Sequence, residues 1–209
     1  MMKRNNFPFS AVLGLNHAKT AILIVLVNPR AGGLLISGPR GIGKSTLMRS
    51  TQELIERPWR DIPVSVTEDR LFGTIDTEKA IYSGQKKLYP GIINEADQGV
   101  LYLDDANLLR EDLLDSILNI AEVGAYQLER DGLSLRCDTS FTVIAAINPE
   151  SGMLSGACLD QFGLFVNVDN IHDENTRVEI LKRTISFEKD CASFCNLWKL
   201  ENEKIKKAI

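Results

Sequence analysis

Residues 38–45 read Gly38-Pro39-Arg40-Gly41-Ile42-Gly43-Lys44-Ser45. The stretch fits G-x-x-x-x-G-K-[ST], a pattern that is typical of a phosphate-binding P-loop. In such a loop the glycines let backbone N–H groups turn inward, the lysine reaches the β- and γ-phosphates, and the serine hydroxyl binds Mg²⁺. A glycine-rich turn that binds nothing is the alternative, and the flanking sequence decides between the two.

The residues on both sides supply the context that a P-loop needs. Leu34-Leu35-Ile36-Ser37 is short, apolar and partly β-branched, which predicts a buried strand, and Thr46 to Glu56 is predicted to be a helix. A strand, a glycine loop and a helix N-terminus form an anion site, because inward N–H groups and the helix dipole both favour negative charge. We therefore predict that the phosphates of a nucleotide are held by Gly38, Pro39, Arg40, Gly41, Ile42, Gly43, Lys44, Ser45 and Thr46.

The overall composition limits the class of protein. The chain has 209 residues, of which 44% are hydrophobic and 25% charged, as in a globular protein. The net charge of −4 argues against a nucleic-acid partner, and the longest apolar run, Ala21–Val27, is too short to span a membrane. Four cysteines without a CxxC pair and only two histidines argue against a zinc site, and we expect a reduced, cytoplasmic compartment.

A second chemical element follows the P-loop. Val100-Leu101-Tyr102-Leu103-Asp104-Asp105 is an apolar strand that ends in two carboxylates. Because ligands of open α/β sheets bind at the carboxyl ends of the strands, this pattern predicts a Walker B element. Asp104 would hold Mg²⁺ together with Ser45, since Mg²⁺ prefers oxygen ligands. A buried strand with a polar end is the alternative.

A third candidate lies after the predicted strand Phe141 to Ile147, where Asn148-Pro149 follows. Asn148 is expected at the same edge of the sheet as Asp104. There it would orient the attacking water or contact the γ-phosphate. A turn-forming asparagine before proline is the other interpretation, and from the residues alone it is the better one.

The rest of the chain alternates strand and helix patterns, which predicts an α/β fold with a mainly parallel, doubly wound sheet. Further strands are predicted at Val64–Val66 and Leu164–Val168. Helices are predicted at His17–Val27, Thr74–Ser83, Ile92–Ala96, Glu111–Val123, Asp173–Lys189 and 190–209. Turns or hairpins are predicted at Gly84–Gly91 and at Gly124–Cys137, the second with an Asp131-Gly132 turn.

Several longer motifs accompany the P-loop. They are Phe7-Pro8-Phe9-Ser10-Ala11-Val12-Leu13-Gly14, Asn28-Pro29-Arg30-Ala31-Gly32-Gly33, Leu71-Phe72-Gly73-Thr74-Ile75-Asp76, Pro90-Gly91-Ile92, Gly99 to Leu109, Ala146-Ile147-Asn148-Pro149-Glu150, and Asp160-Gln161-Phe162-Gly163-Leu164 on to Phe187-Glu188. With these motifs the chain resembles the ATPase subunit of magnesium chelatase. That resemblance places it among the AAA+ ATPases, close to the MoxR-type chaperones.

The resemblance implies a P-loop NTPase core at residues 1–189, an αβα sandwich with a five-stranded, mainly parallel sheet and β-hairpin insertions. Residues 190–209 would begin a linker helix toward a C-terminal helical lid, which is expected to be absent. ATP and Mg²⁺ are the implied cofactors. The implied partners are AAA+ subunits in a homo- or hetero-oligomeric ring and a protein with an integrin-like (VWA) domain, which ATP binding and hydrolysis would remodel.

The chain departs from the family pattern at three places. Asp105 stands where the family has glutamate, and its side chain is one methylene shorter. A water held by the shorter side chain would be misplaced by roughly 1 Å, which costs about 10²-fold in rate. Gln161 stands where the family has an arginine finger that acts in trans, and loss of such a finger costs about 10³–10⁵ in kcat. Leu154-Ser155-Gly156 replaces Leu-Arg-Pro.

The predicted catalytic residues are therefore Lys44, Asp105 and Asn148, and the predicted metal ligands are Ser45 and Asp104. The binding half of the site matches the family, whereas both groups that act in hydrolysis are altered. We expect a subunit that binds Mg-ATP and hydrolyses it slowly or only with a partner. The alternatives are a non-hydrolysing regulatory subunit and a degenerate or truncated paralogue.

Overall fold

The computed structural model describes residues 6–75, 88–130 and 133–209, and the structural statements that follow concern these residues. Its strands are β1 (Leu34–Ser37), β2 (Trp59–Ile62), β3 (Gly73–Ile75), β4 (Leu88–Pro90), β5 (Gly99–Leu103), β6 (Ala125–Arg130), β7 (Leu133–Asp138), β8 (Phe141–Ile147) and β9 (Leu164–Asn167). The central sheet has five strands in the order β2-β5-β8-β1-β9, and every neighbouring pair is parallel. The predicted five-stranded sheet is therefore confirmed.

The helices pack on both faces of this sheet. They are α1 (Asn16–Val27), α2 (Lys44–Gln52), α3 (Glu68–Phe72), α4 (Ile92–Glu95), α5 (Glu111–Val123), α6 (Gly156–Asp160), α7 (Glu174–Lys189) and α8 (Cys191–Ala208). None of the helices in the described part of the chain combines the length and the apolar character needed to cross a membrane.

Alternation along the strands builds two separate cores. Leu34 and Ile36 of β1 pack with residues of α1 and α2, whereas Leu35 between them packs with residues of α4 and α5. The same alternation occurs along β5 and β8, because successive side chains of a strand point to opposite faces. The result is the predicted αβα sandwich, with all five central strands ending at one edge.

The strand predicted at Val64–Val66 is wrong. The edge strand is Trp59–Ile62, which pairs with β5, and Pro63 follows it directly. Proline has no N–H for the ladder, so pairing stops there, and Val66 N–H turns back to the carbonyl of Pro63. Buried Trp59 and Ile62 bracket exposed residues, a pattern too short to stand out in the sequence.

Two helix predictions also need correction. The P-loop helix ends at Gln52 rather than Glu56, after the hydroxyls of Ser50 and Thr51 donate to the carbonyl of Leu47. Such side-chain bonds to the backbone compete with continuation of a helix. The helix predicted to begin at Thr74 is wrong at its start, because Thr74 lies in β3; residues 76–83 of that prediction lie outside the described residues.

Both predicted hairpin insertions are present. β3 pairs antiparallel with β4, so the first insertion begins at Gly73, earlier than the predicted Gly84, and residues 76–87 between the strands are not described. β6 and β7 pair antiparallel from Ala125 opposite Asp138 to Arg130 opposite Leu133. The Asp131-Gly132 turn of that hairpin lies outside the described residues.

The last two helices form an antiparallel pair that packs onto the sandwich. Phe194 of α8 contacts Phe187 of α7 and Phe7 of the N-terminal segment, with ring centroids 5.8 and 5.3 Å away. The Arg183 guanidinium lies 4.6 Å from the ring centroid of Trp198. Residues 190–209, predicted as the start of a linker, thus contribute to the packing of the core unit, and the domain boundary at residue 189 stays a prediction.

Candidate functional site

The P-loop has a backbone shape that requires glycine. Gly41 and Gly43 have φ angles of +81° and +94°, in the left-handed region that side chains disfavour. A Cβ at Gly38 would lie 2.4 Å from the carbonyl oxygen of Val168, so no side chain fits there. A Cβ at Gly41 would meet no atom within 4 Å, because this part of the loop borders open space. The loop joins β1 to α2, as predicted, and its concave side faces a cavity.

Lys44 lies across the loop. Its ammonium group donates to the carbonyls of Gly38 and Pro39, the latter at 2.8 Å, and the residue is only 8% exposed. Burial lowers the pKa of Lys44, and the carboxylates of Asp105 and Asp104 oppose that shift. The lysine is thus a cation held by weak neutral acceptors, which anionic phosphate oxygens would replace with stronger, charge-assisted bonds.

The two predicted metal ligands lie together. Ser45 Oγ donates to Asp104 Oδ2 at 3.1 Å, which joins the N-terminus of α2 to the carboxyl end of β5. A hydroxyl and a carboxylate beside a phosphate cradle are the oxygen ligands that Mg²⁺ takes in phosphoryl-transfer sites. The donor set therefore fits Mg²⁺.

Asp105 follows in the left-handed conformation, with φ 51° and ψ 47°. Its Oδ2 lies 3.9 Å from Arg40 Nη2, a distant and largely solvent-exposed ion pair. A cavity of about 360 Å³ has most of the predicted residues on its walls: Arg40, Gly41, Gly43, Lys44, Ser45, Thr46, Asp104 and Asp105. The predicted residues Gly38, Pro39 and Ile42 are not among those lining it. The structure thus brings the P-loop and both acids of the Walker B element into one space.

Asn148 lies close in the fold but outside this cavity. It is 2% exposed and follows β8, as predicted. Its side-chain oxygen accepts from the N–H of Glu150 at 3.2 Å, and its amide nitrogen donates to Ser151 Oγ at 3.3 Å. The side chain therefore forms the turn that begins at Pro149, and the structure does not place its amide among the residues lining the phosphate cavity.

Gln161 also lies away from the cradle. It caps the C-terminus of α6, and its amide nitrogen donates to the carbonyl of Ala157 at 3.4 Å. It is not among the residues lining the phosphate cavity. A group at position 161 therefore does not contact phosphates held in its own subunit in this conformation.

Sequence reasoning missed a second cavity, of about 550 Å³, beside the first. Gly41, Gly43 and Thr46 line both cavities. The other walls come from the N-terminal segment and from α7 and the residues before it, and include Phe7, Val12, Ile171, Ile180 and Phe187. Apolar side chains dominate it. Two motifs of the sequence contribute to this wall, the one that begins at Phe7 and the one that runs on to Phe187-Glu188.

Comparisons with known proteins agree with this geometry. The model of the AAA domain family (dynein-related subfamily) matches residues 33–161. The magnesium-chelatase 38 kDa subunit of Cereibacter sphaeroides is 35% identical over 236 aligned residues, which cover 97% of this chain and 71% of that protein. The magnesium-chelatase subunit ChlI of Cyanophora paradoxa is 33% identical, with 100% of this chain and 72% of that protein covered.

One archaeal protein and one structure extend the comparison. The magnesium-chelatase subunit ChlI homolog of Methanocaldococcus jannaschii is 32% identical, with coverage of 100% of this chain and 67% of that protein. A chain in a cryo-EM-based model of the complex between the BchI and BchD subunits of magnesium chelatase superposes with a TM-score of 0.75. It is 34% identical, and 98% of this chain and 74% of that chain are covered.

Proposed function

This chain belongs to the AAA+ family, in its magnesium-chelatase ATPase-subunit branch, and on that premise we propose that it binds Mg-ATP and uses the binding to change the state of a partner protein. The observation that carries the proposal is the contact between Ser45 and Asp104 at 3.1 Å beneath the P-loop. It joins the phosphate-binding and metal-binding elements, which lie far apart in the sequence, at one point.

Each residue of the cradle has a distinct role in this proposal. Backbone N–H groups from Gly41 to Ser45 hold phosphate oxygens at the positive end of α2. The Lys44 ammonium leaves the loop carbonyls and neutralises charge on the β- and γ-phosphates. Ser45 and Asp104 hold Mg²⁺, which when bound offsets the negative charge of the phosphates.

The apolar cavity of about 550 Å³ is proposed to take the base and ribose. It shares Gly41, Gly43 and Thr46 with the phosphate cavity, so a nucleotide whose phosphates lie on the P-loop extends directly into it. A flat heteroaromatic base suits a cavity with mostly apolar walls, where a few polar groups fix its orientation.

Hydrolysis by the chain alone is proposed to be slow. Asp105 has a shorter reach than glutamate, and Gln161 carries no positive charge with which to stabilise the transition state. The intact binding half of the site favours retained binding. A nucleotide-binding subunit that hardly hydrolyses, beside an active AAA+ paralogue, is therefore the second candidate function.

The partners follow from the relatives. The structural relative is named as part of a complex of two magnesium-chelatase subunits, and we propose a homo- or hetero-oligomer of AAA+ subunits for this chain too. A partner with an integrin-like domain, a relationship to MoxR-type chaperones and a cytoplasmic location stay predictions from the resemblance.

Titration with a fluorescent ATP analogue in the presence of Mg²⁺ tests the proposal. The wild-type chain should bind, and Lys44→Ala should bind at least about 100-fold more weakly, because it removes a charged hydrogen-bond donor from the phosphates. Lys199→Ala, the same change at an exposed position of α8, is the matched control and should bind like the wild type. Equal affinities of wild type and Lys44→Ala would refute the P-loop assignment.

A further inference from the structure

A third cavity, of about 370 Å³, lies behind the proposed metal ligands. It is enclosed by β2, β5 and α2, and it shares Ser45 and Asp104 with the phosphate cavity. Tyr102, Trp59 and Asp61 line its inner side. The two cavities thus adjoin at the proposed Mg²⁺ ligands.

Tyr102 is held rigidly in this third cavity. Tyr102 of β5 pairs with Asp61 of β2 and is 6% exposed. Its ring centroid lies 5.9 Å from that of Trp59. Asp61 Oδ1 already accepts from Trp59 Nε1 at 2.7 Å. The strand pairing and the indole hold the phenol ring in the cavity wall that also contains Ser45 and Asp104.

The Tyr102 hydroxyl is buried, and no hydrogen bond of good geometry holds it among the residues that the structure describes, although Asp104 and Ser45 lie near it. Burial, and after it the carboxylate of Asp104, raise the pKa of this hydroxyl above its ordinary value, so the group keeps its proton. A buried hydroxyl without a partner is unfavourable. Tyr102 therefore supplies a spare donor in the same cavity wall as Asp104.

Asp104 can accept this donor in addition to Ser45. In the structure the Ser45 hydroxyl donates to Asp104 Oδ2 at 3.1 Å. A P-loop serine binds Mg²⁺ through a lone pair of its hydroxyl oxygen, so its proton can stay on the bond to Asp104. The remaining lone pairs of the Asp104 carboxylate are open to another donor. Carboxylates that bind a metal also accept hydrogen bonds from neighbouring groups, and these bonds fix the orientation of the carboxylate.

We propose that Tyr102 is a positioning residue whose hydroxyl donates to the Asp104 carboxylate in the Mg²⁺-bound state, alongside Ser45. The inference rests on the proposed binding of Mg-ATP. Tyr102 contacts neither nucleotide nor metal in this arrangement; it acts only through Asp104. It lowers the concentration of Mg²⁺ that the site needs.

The test is Tyr102→Phe, which removes the hydroxyl and keeps the ring. The affinity for a fluorescent ATP analogue is measured across a series of Mg²⁺ concentrations and in EDTA. The Mg²⁺ concentration at half-maximal effect should rise about 10- to 100-fold, as for other outer-shell partners of metal ligands. The affinity in EDTA should not change. The Tm of the nucleotide-free protein should stay the same or rise, because the variant removes a buried group without a partner.

Tyr126→Phe is the matched control. The Tyr126 hydroxyl lies 2.7 Å from both the carbonyl oxygen of Phe72 and Asn94 Oδ1, at the base of the second hairpin. Its removal should lower the Tm and leave the Mg²⁺ requirement unchanged.

Two results would overturn the inference. A Tyr102→Phe variant that binds Mg-ATP with the wild-type Mg²⁺ requirement would show that Asp104 does not use this donor. A lower Tm with equal losses of affinity in Mg²⁺ and in EDTA would assign the hydroxyl to folding alone. A wild-type chain that binds no nucleotide would be a separate outcome, since it refutes the proposed function and this inference with it.

Discussion

Asp105 has a backbone conformation that suits aspartate. Its φ of 51° lies in the left-handed region, which aspartate and asparagine enter more readily than residues with longer side chains. Its carboxylate faces the phosphate cavity with Arg40 at 3.9 Å. An aspartate is therefore compatible with the local fold at this position. We propose that its short side chain limits the reach of the carboxylate toward a water.

Asp105→Glu should raise the rate of hydrolysis by up to about 10²-fold, because it restores the reach of the general base. It should also lower the free energy of unfolding by up to about 1 kcal/mol, since glutamate fits the left-handed conformation less well. Single-turnover hydrolysis and urea denaturation measure the two effects. Asp105→Asn, which has the same size without the charge, is the control and should lower the residual rate. Unchanged hydrolysis in both variants would show that position 105 does not limit turnover.

α7 lines the apolar cavity, and α8 packs against α7 at the C-terminal part of the chain. Phe187 of α7 and Phe7 line the apolar cavity, and both rings contact Phe194 of α8. The opposite face of the pair leaves Val178, Leu181, Ile185, Leu197 and Leu200 exposed. Through the aromatic cluster, defined here as Phe7, Phe187 and Phe194, α8 packs behind two residues of the apolar cavity wall.

Phe194→Ala should lower the free energy of unfolding by about 3–5 kcal/mol, because it opens a cavity in a buried cluster. It should also weaken nucleotide binding, since the cluster supports one wall of the apolar cavity. Leu197→Ala, three residues along the same helix and 77% exposed, should change stability by less than about 0.5 kcal/mol. Thermal and urea unfolding check both variants. A small effect of Phe194→Ala would mean that α8 does not stabilise the core.

In the part of the chain that the structure describes, the P-loop and both acids after β5 lie together, and Gln161 lies apart from them. Gln161 lies at the end of α6 and outside the phosphate cavity of its own chain. An arginine at this position would act on a nucleotide held by a neighbour, as the family resemblance implies. The chemistry at the γ-phosphate is thus proposed to depend on assembly and not on the folded monomer alone.

Mixed subunits can separate action within a chain from action between chains. One set of subunits carries Lys44→Ala and Gln161→Arg, so it supplies an arginine but binds ATP weakly. The other set carries Asp105→Glu, so it binds ATP but lacks the arginine. The first set should activate hydrolysis by the second. The gain should reach about 10³-fold in assembled protein and should increase with protein concentration. Lys44→Ala subunits that keep Gln161 are the control and should give no activation. Activity that requires the arginine and an intact P-loop in the same chain would contradict the proposal.

Most of the fold and about half of the candidate site could be predicted from continuous stretches of sequence. The strand Leu34–Ser37, the helix Glu111–Val123 and the strand Phe141–Ile147 have the predicted bounds, because each is a continuous or strongly periodic apolar segment. The P-loop and the two acids after β5 also come from single stretches of chain. In a parallel sheet the residues that follow the carboxyl ends of the strands lie at one edge, so these stretches are expected to come together there.

Features that depend on contacts between distant segments needed the tertiary structure. The edge strand lies at Trp59–Ile62 because β5 offers it a partner, and Asn148 forms a turn because Glu150 and Ser151 lie within reach of its amide. The apolar cavity combines residues near both ends of the chain. The third cavity places Tyr102 in one wall with Ser45 and Asp104. Local sequence encodes backbone preference and the identity of chemical groups. Which groups share a space is decided only when the sheet and helices pack, because burial and hydrogen-bond partners are properties of the whole arrangement.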